Sequence, residues 1–441
     1  MDTTSLLQHL GIKQLNAMQD TVLKAYGKSD NLVLLSPTGS GKTLAYLLPL
    51  VENLHDRQGR PQALVLVPSR ELAMQTDGVF KSMKTTFHSM SCYGGRPASE
   101  EHTTMKSLQP DIIVGTPGRM LDHLQKGNID VEGIHTLVLD EFDKCLELGF
   151  QEEMEQILSR MPHIRKRVLL SATDAEQIPA FAGVKGKTLR RLDFLKKEGR
   201  DASTRIGLYE VDSPDKDKLE TLFKLLCCLG TQKSIVFLNY REAVERTASY
   251  LREKKVACEM FHGKLEQEDR EKALYRFTNG SCNVLVSTDL AARGLDLPAV
   301  DNIIHYHFPV DEESYIHRNG RTARWDATGT VYFIKGPDEH LPSYIQGTPE
   351  VFGFPDKIPA PSKPEWETIY IGKGKKDKLN KVDILGFLCK KGHLTAKEVG
   401  KIDVRDYYSF AAVQRKRVNE TLNLVRDEKI KGKKTKIEIA L

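Results

Sequence analysis

The stretch SPTGSGKT (36–43) sets a glycine-rich turn after the apolar run NLVLL and ahead of a helical pattern. In that context backbone N–H groups close on phosphate oxygens at the start of a helix. Thr38, Gly39, Ser40 and Gly41 form the turn, Lys42 can reach the β- and γ-phosphates, and Thr43 can help hold Mg²⁺. Ser36 stands where the strict pattern has its first glycine, so the loop is a variant one. A second cluster, Asp140-Glu141-Phe142-Asp143, closes the apolar run TLVL. In nucleotide hydrolases of this architecture an acidic strand end faces the phosphate loop. One carboxylate holds the Mg²⁺ water shell and the next positions the attacking water. Asp140 and Glu141 fit those two roles. Alone, they would read as solvated charges at the start of the following helix; opposite a phosphate loop, the chemical reading is preferred.

Short β-rich runs alternating with helical patterns must position these groups. NLVLLSPTGSGKT, QALVLVPSRELAMQ, PDIIVGTPGRMLDHL, HTLVLDEFDKC and KRVLLSAT predict a parallel sheet with crossover helices. The small polar clusters fall just after the strands, where open α/β sheets bind ligands. KSIVFLNYRE, EMFHGKL, NVLVSTDLAARGLD, DNIIHYHFP and GTVYFI predict a second sheet of the same class. Linkers are expected at LKKEGRDASTR (195–205) and at the Pro-rich GFPDKIPAPSKPEW (353–366). Beyond them a β-α-β-β-α-β rhythm suggests a small split-βαβ sheet. The expected domains are 1–195, 205–345 and 365–441.

A chain of 441 residues suits two or three domains. No apolar run reaches the roughly 18 residues of a membrane helix, and MDTTSLLQHLGIKQ lacks the pattern of a secretion signal. Seven cysteines without CxxC spacing argue against a disulfide framework or a zinc site. A reduced, cytoplasmic protein is expected, without a membrane and without a stable protein partner. Charge is uneven: residues 363–441 hold 20 Lys+Arg against 11 Asp+Glu, a net +9 within a chain of +5, which leaves −4 for residues 1–362. That asymmetry points to a nucleic-acid partner for the tail.

The ordered motifs resemble those of the DEAD-box RNA helicases across nearly all of residues 1–345. They are Gln19, SPTGSGKT, PSRELA (68–73), Gly94-Gly95, TPGR (116–119), DEFD (140–143), SAT (171–173), HGKLEQEDR (262–270), STDLAARGLD (287–296) and HRNGRTAR (317–324). The resemblance implies an α/β fold of two tandem RecA-like parallel-sheet domains. It also implies ATP and Mg²⁺ as cofactors and an enzyme that hydrolyses ATP to ADP and phosphate when bound to RNA, locally unwinding short duplexes. It assigns adenine reading to Gln19, a ribose contact to Asp296, and catalytic arginine-finger roles to Arg321 and Arg324, alongside Lys42 and Glu141. Asp143, Ser171, Thr173 and His317 are expected to couple nucleotide state to RNA. Arg70, Gly95, Thr116 and Arg119 in the first domain, and Gly263 and Thr288 in the second, are expected on the RNA backbone, which carries no sequence information. Phe142, Asn319 and Ala323 stand where the family has alanine, a branched apolar residue and glycine. Phe142 is expected to alternate with its flanking carboxylates and point inward.

The tail resembles the RNA-binding domain of the DbpA group, DEAD-box helicases directed to large-subunit ribosomal RNA. It therefore implies a C-terminal α+β module of RRM type and a role in large-subunit assembly. Lys373, Lys375, Lys376 and Lys378 could hold phosphates, with Tyr407, Tyr408 or Phe410 offering stacking faces. Two other readings stand beside this one: an ATP-gated RNA clamp, suggested by Phe142, and a translocase acting on DNA.

Overall fold

A computed structural model describes residues 3–37, 39–56, 59–95, 97–172, 182–183, 189–195, 206–292, 297, 300–322, 329–345 and 347–440. The near-continuous apolar runs form strands buried on both faces, as parallel sheets covered by helices require. The first sheet comprises β1 (Asn31–Leu35), β2 (Ala63–Leu66), β3 (Ser89–Cys92), β4 (Ile112–Gly115), β5 (Thr136–Leu139), β6 (Lys166–Ser171) and β7 (Leu189–Asp193). Its order is β3-β4-β2-β5-β6-β1-β7, parallel throughout.

The second sheet comprises β8 (Ile206–Asp212), β9 (Ser234–Phe237), β10 (Cys258–Phe261), β11 (Val284–Ser287), β12 (Asn302–His305), β13 (Gly329–Lys335) and β14 (Glu350–Val351). Its order is β10-β11-β9-β12-β13-β8-β14, again parallel. Subtracting seven from each strand number reproduces the first sheet, so the two sheets share one topology.

The C-terminal module is β15 (Trp366–Ile371), a helix Lys381–Lys390, β16 (Val399–Val404), β17 (Ser409–Gln414), a helix Val418–Val425, a hairpin of β18 (Lys429–Ile430) and β19 (Lys433–Lys434), and β20 (Ile437–Ile439). The expected rhythm is present, with the hairpin added. Lys431 at φ 50° and Gly432 at φ 75° make its two-residue turn. The module's antiparallel sheet has the order β16-β17-β15-β20. Ile369 and Ile371 face a core with Ile384, Leu388 and Val413. The chain forms two compact units, one built on the first sheet and the other holding the second sheet together with this module.

The Pro-rich stretch is pinned rather than free. Phe352 packs edge-on against Tyr332 at 5.6 Å and Phe354 against Phe352 at 5.3 Å. Ser362 Oγ donates to Gly230 O at 2.6 Å.

The acidic turn departs from the expected alternation along a strand. β5 ends at Leu139, Glu141 adopts φ 49° and ψ 50°, and Phe142 is the first residue of the helix Phe142–Glu147. The left-handed Glu141 thus turns the ring inward. A non-glycine residue in that region is uncommon and is held there by its surroundings. Phe142 is 2% exposed, within the cluster that contains Leu66, Leu139, Cys145 and Leu169. Because such a ring cannot be removed without leaving a void, Phe142→Ala is expected to lower the stability of this unit by about 3–5 kcal/mol. Phe142→Leu should cost clearly less. Chemical denaturation of the two variants checks the ranking; equal losses would place the ring outside the core.

Candidate functional site

β6 lies between β1 and β5, and this neighbourhood assembles the nucleotide-chemistry candidates. At its end Ser171 O accepts from Ser36 N at 3.0 Å, on the phosphate loop. Ser171 Oγ donates to Asp143 Oδ2 at 2.8 Å, and Ala172 N lies 3.3 Å from the same oxygen. One residue therefore touches both the loop after β1 and the turn after β5. Within the loop, Lys42 Nζ donates to Ser36 O at 2.6 Å and to Pro37 O at 3.0 Å, and Ser36 Oγ to Ser40 Oγ at 2.7 Å. Gly41, at φ 88°, precedes the helix Lys42–Glu52, whose second residue is Thr43. A Cβ on Gly41 would stand 2.6 Å from Gln19 Nε2. Gln19 forms a reciprocal cap with Asn16 and donates to Gly41 O at 3.3 Å, so the residue expected to read adenine lies against the loop.

The acidic residues are not solvated. Asp140, Glu141 and Asp143 are 2%, 7% and 8% exposed. Burial, reinforced by the Glu141 charge and opposed by Lys42, pushes the Asp140 carboxyl up to about 7. A carboxylate held that high gains by a divalent cation beside it. Thr38, Thr173, Asp296 and Arg324, along with Ala323 and most of the first linker, fall outside the described residues.

The other half of the first sheet's strand ends carries the RNA candidates. Arg70 begins the helix Arg70–Ser82 after β2, Gly95 follows β3, and Thr116 and Arg119 follow β4. Order β3-β4-β2 makes these neighbours. Gly95 sits at φ 97°, a backbone conformation that favours glycine, and a Cβ there would stand 2.3 Å from Arg70 Nη1 and displace the guanidinium. Composition did not reveal Glu101. Buried at 2%, its carboxylate accepts from Tyr93 N at 3.1 Å and Arg119 Nη1 at 2.9 Å, and lies 2.9 Å from His123 Nε2. Cys92, Glu101 and His123 come within 4.8 Å of one another, yet these three donors already occupy the carboxylate. It ties the residues beside Gly94-Gly95 to TPGR.

The second sheet repeats the arrangement. Gly263 follows β10 and Thr288 follows β11, the strands equivalent to those before Gly95 and Thr116. Gly263 is exposed with open space around it, and Thr288 N donates to Phe261 O at 3.3 Å. The equivalent of Arg70 is Arg241, which opens the helix Arg241–Glu253 after β9 beside a 66% exposed Tyr240. The paired strings SREL and YREA, each following a strand, carried that signal.

In HRNGRTAR the arginine passed over is Arg318. It is fully buried, and its guanidinium grips Asp289 at 2.5 and 3.1 Å, His307 O at 2.9 Å and Asn239 Oδ1 at 2.7 Å. It thereby fixes the helix Glu312–Asn319 to the STDL turn. Arg321 is 3% exposed; His317 is 1% exposed and 3.3 Å from Glu313. Asn319 has a physical reason: its Oδ1 is 3.0 Å from Nε2 of the buried His305, whose ring stacks on Phe333 at 5.0 Å. Burial pushes His305 down to about 3, so this pair is neutral.

In the C-terminal module Lys375, Lys376 and Lys378 are exposed, and Lys373 is half-buried, 3.3 Å from Asp377. Lys376 donates to the Tyr407 hydroxyl and stands 4.2 Å over its ring. Lys431 Nζ donates to Lys378 O at 2.7 Å, which adds the hairpin to this rim. Of the three expected stacking residues only Tyr407, at 57%, is exposed; Phe410 is 1% exposed because another ring covers it.

Glu101→Gln tests the tie in the first domain. The amide keeps the size but loses the charge that holds Arg119, and charge-assisted hydrogen bonds are about twice as strong as neutral ones. RNA affinity is expected to fall several-fold while nucleotide affinity is unchanged, measured by titrating each separately. A parallel loss of nucleotide binding would make Glu101 a general packing residue.

Residues 16–180 match the DEAD/DEAH box helicase family, 217–326 the helicase conserved C-terminal domain, and 368–439 the DbpA RNA binding domain. The chain is 32% identical to the ATP-dependent RNA helicase DbpA of Escherichia coli (strain K12), over 98% of this chain and 96% of that protein. It is 30% identical to the ATP-dependent RNA helicase DbpA of Bacillus subtilis (strain 168), over 100% and 97%. The structure of S. cerevisiae Dbp5 bound to RNA and ADP BeF3 is similar with a TM-score of 0.67 at 27% identity, covering 76% of this chain and 88% of that one. The chain belongs to the DEAD-box family of ATP-dependent RNA helicases, as a DbpA-like, ATP-hydrolysing member.

Proposed function

We propose that ATP is hydrolysed where the loop after β1 faces the turn after β5, and that Ser171 reports the result towards the RNA side. The observation that carries this reading is the double contact of Ser171, to Ser36 and to Asp143. Lys42, Ser36, Thr38, Gly39, Ser40 and Gly41 hold the phosphates, Gln19 and Asp296 the nucleoside. Mg²⁺ suits Thr43, Asp140 and Glu141, because a buried carboxyl beside a second acidic group is short of positive charge. Bound there, the ion neutralises charge on the β- and γ-phosphates. Glu141 orients the attacking water. Arg321 and Arg324 supply positive charge to the γ-phosphate, while Asp143, Ser171, Thr173 and His317 couple the two chemistries.

RNA lies on the ends of β2, β4 and β3 through Arg70, Thr116, Arg119 and Gly95, and on the ends of β10 and β11 through Gly263 and Thr288. These groups suit the sugar-phosphate backbone, so selectivity falls to the module at 365–441, with 1–195 and 205–345 as the two helicase domains. Lys373, Lys375 and Lys376, beside the exposed Tyr407, suit a structured ribosomal RNA, and the work is in large-subunit assembly. Seven free thiols suit the reducing cytoplasm.

Two measurements test this. Lys42→Ala and Glu141→Gln are each expected to reduce RNA-stimulated ATP turnover by about 10²-fold or more; parent-like rates would remove both assignments. Lys375→Ala with Lys376→Ala should leave turnover on plain single strands intact but abolish preference within a panel of ribosomal RNA fragments. The double variant should also flatten the salt dependence of binding by about two phosphate contacts. An unchanged preference would move selectivity away from this rim.

A further inference from the structure

A four-stranded sheet with β15 and β17 at its centre ordinarily offers its open face to single-stranded RNA, where aromatic side chains stack on bases. With Ile369 and Ile371 turned to the core, alternation puts Thr368 and Tyr370 on that open face, and Tyr370 pairs in register with Phe410. Here the face is already covered. The helix Gln267–Asn279 of the second helicase domain lays the stripe Glu271, Tyr275 and Asn279 across it, one residue per turn.

The Tyr275 ring stacks on Phe410 at 5.1 Å, which leaves Phe410 1% and Tyr275 4% exposed. On one side Glu271 Oε2 accepts from the Tyr408 hydroxyl at 3.0 Å and lies 3.4 Å from Arg405 Nε. On the other, Asn279 Nδ2 donates to Thr368 Oγ1 at 2.9 Å, and Thr368 Oγ1 to Ser281 Oγ at 2.9 Å. Aromatic, ionic and neutral polar contacts thus match along the face from Arg405 and Tyr408 through Phe410 to Thr368. Beside it remains a groove of about 1090 Å³ along Tyr370. In it Lys434 and Lys436 pair with Asp427 and Glu438 at 2.8 and 2.7 Å.

We propose that the aromatic face of the C-terminal sheet is a docking surface for the helix Gln267–Asn279 rather than a platform for bases, so that the module travels as a fixed extension of the second helicase domain. Tyr275 takes the place a base would occupy. The pinned Phe352 and Phe354 shorten the tether that could otherwise let the module swing.

Trp366 reports the contact, because its Cδ1 is 3.5 Å from the position of a Cβ on Gly280. The chain has two tryptophans, so Trp325→Phe in the full-length protein leaves Trp366 alone. Its emission is expected to shift to the red by several nanometres in Tyr275→Ala and in the charge-reversed Glu271→Arg. Adding Arg405→Glu to Glu271→Arg should return it towards the parent value. Far-ultraviolet dichroism verifies folding of each protein. Emission unchanged in both Tyr275→Ala and Glu271→Arg overturns the proposal. Photo-crosslinking with RNA containing 4-thiouridine gives the second arm: adducts on Phe410 are expected only when Tyr275 is replaced. Adducts on Phe410 in the parent would show that bases do reach the face beneath Tyr275 and would equally overturn the proposal.

Discussion

The first helicase domain depends on a strand, β6, whose end lies between the two loops that carry the candidates for nucleotide chemistry. Its last residue gives its carbonyl to the phosphate loop and its hydroxyl to the acidic turn. Buried polar groups are ordinarily paired, so parting either loop from the end of β6 breaks a hydrogen bond of Ser171. An unmade bond in such a place costs about 1–3 kcal/mol, so both loops are held to the end of the same strand. The partition of the sheet follows from the same order: β1, β6 and β5 carry the phosphate candidates, and β2, β4 and β3 carry the RNA candidates.

Repetition of that order in the second sheet explains how one fold supports two different jobs. Each sheet offers the same set of strand ends, and the side chains placed there decide their use. The ends of β3 and β4 and those of β10 and β11 bear small or hydroxyl-bearing residues in both copies. Elsewhere the copies diverge: the first has a lysine-bearing loop, and the second has Arg318 locked to Asp289 with Arg321 three residues beyond.

The sheets were legible because their strands are short, continuous apolar runs followed by turn residues, and the phosphate loop and acidic turn because glycine, lysine and carboxylate patterns carry their own chemistry. What escaped was pairing between distant residues. Nothing in EEHTTMK announces that Glu101 will meet Arg119, and nothing in HRNGRTAR separates the buried Arg318 from the arginines around it. Asn319 looked anomalous until His305, 14 residues earlier, supplied its partner. Phe410 was legible as an aromatic on a sheet but not as a covered one, because its cover comes from a helix in another domain. The inward turn of Phe142 was foreseen, though its cause is the left-handed backbone at Glu141 and not strand alternation.

Both parallel sheets also impose a timetable on the ribosome. β1 is flanked in the finished sheet by β6 and β7, so its residues Asn31–Leu35 find no permanent neighbour until Lys166–Ser171 have been made. At about 5–20 residues per second that interval lasts roughly 7–30 s. Throughout it an apolar strand with two open edges leaves the exit tunnel uncovered, which is the kind of segment that chaperones hold. β8 repeats the delay, since its partner β13 begins at Gly329. The topology that brings the phosphate loop beside Ser171 therefore also leaves β1 without its sheet partners until most of the first domain has been synthesised.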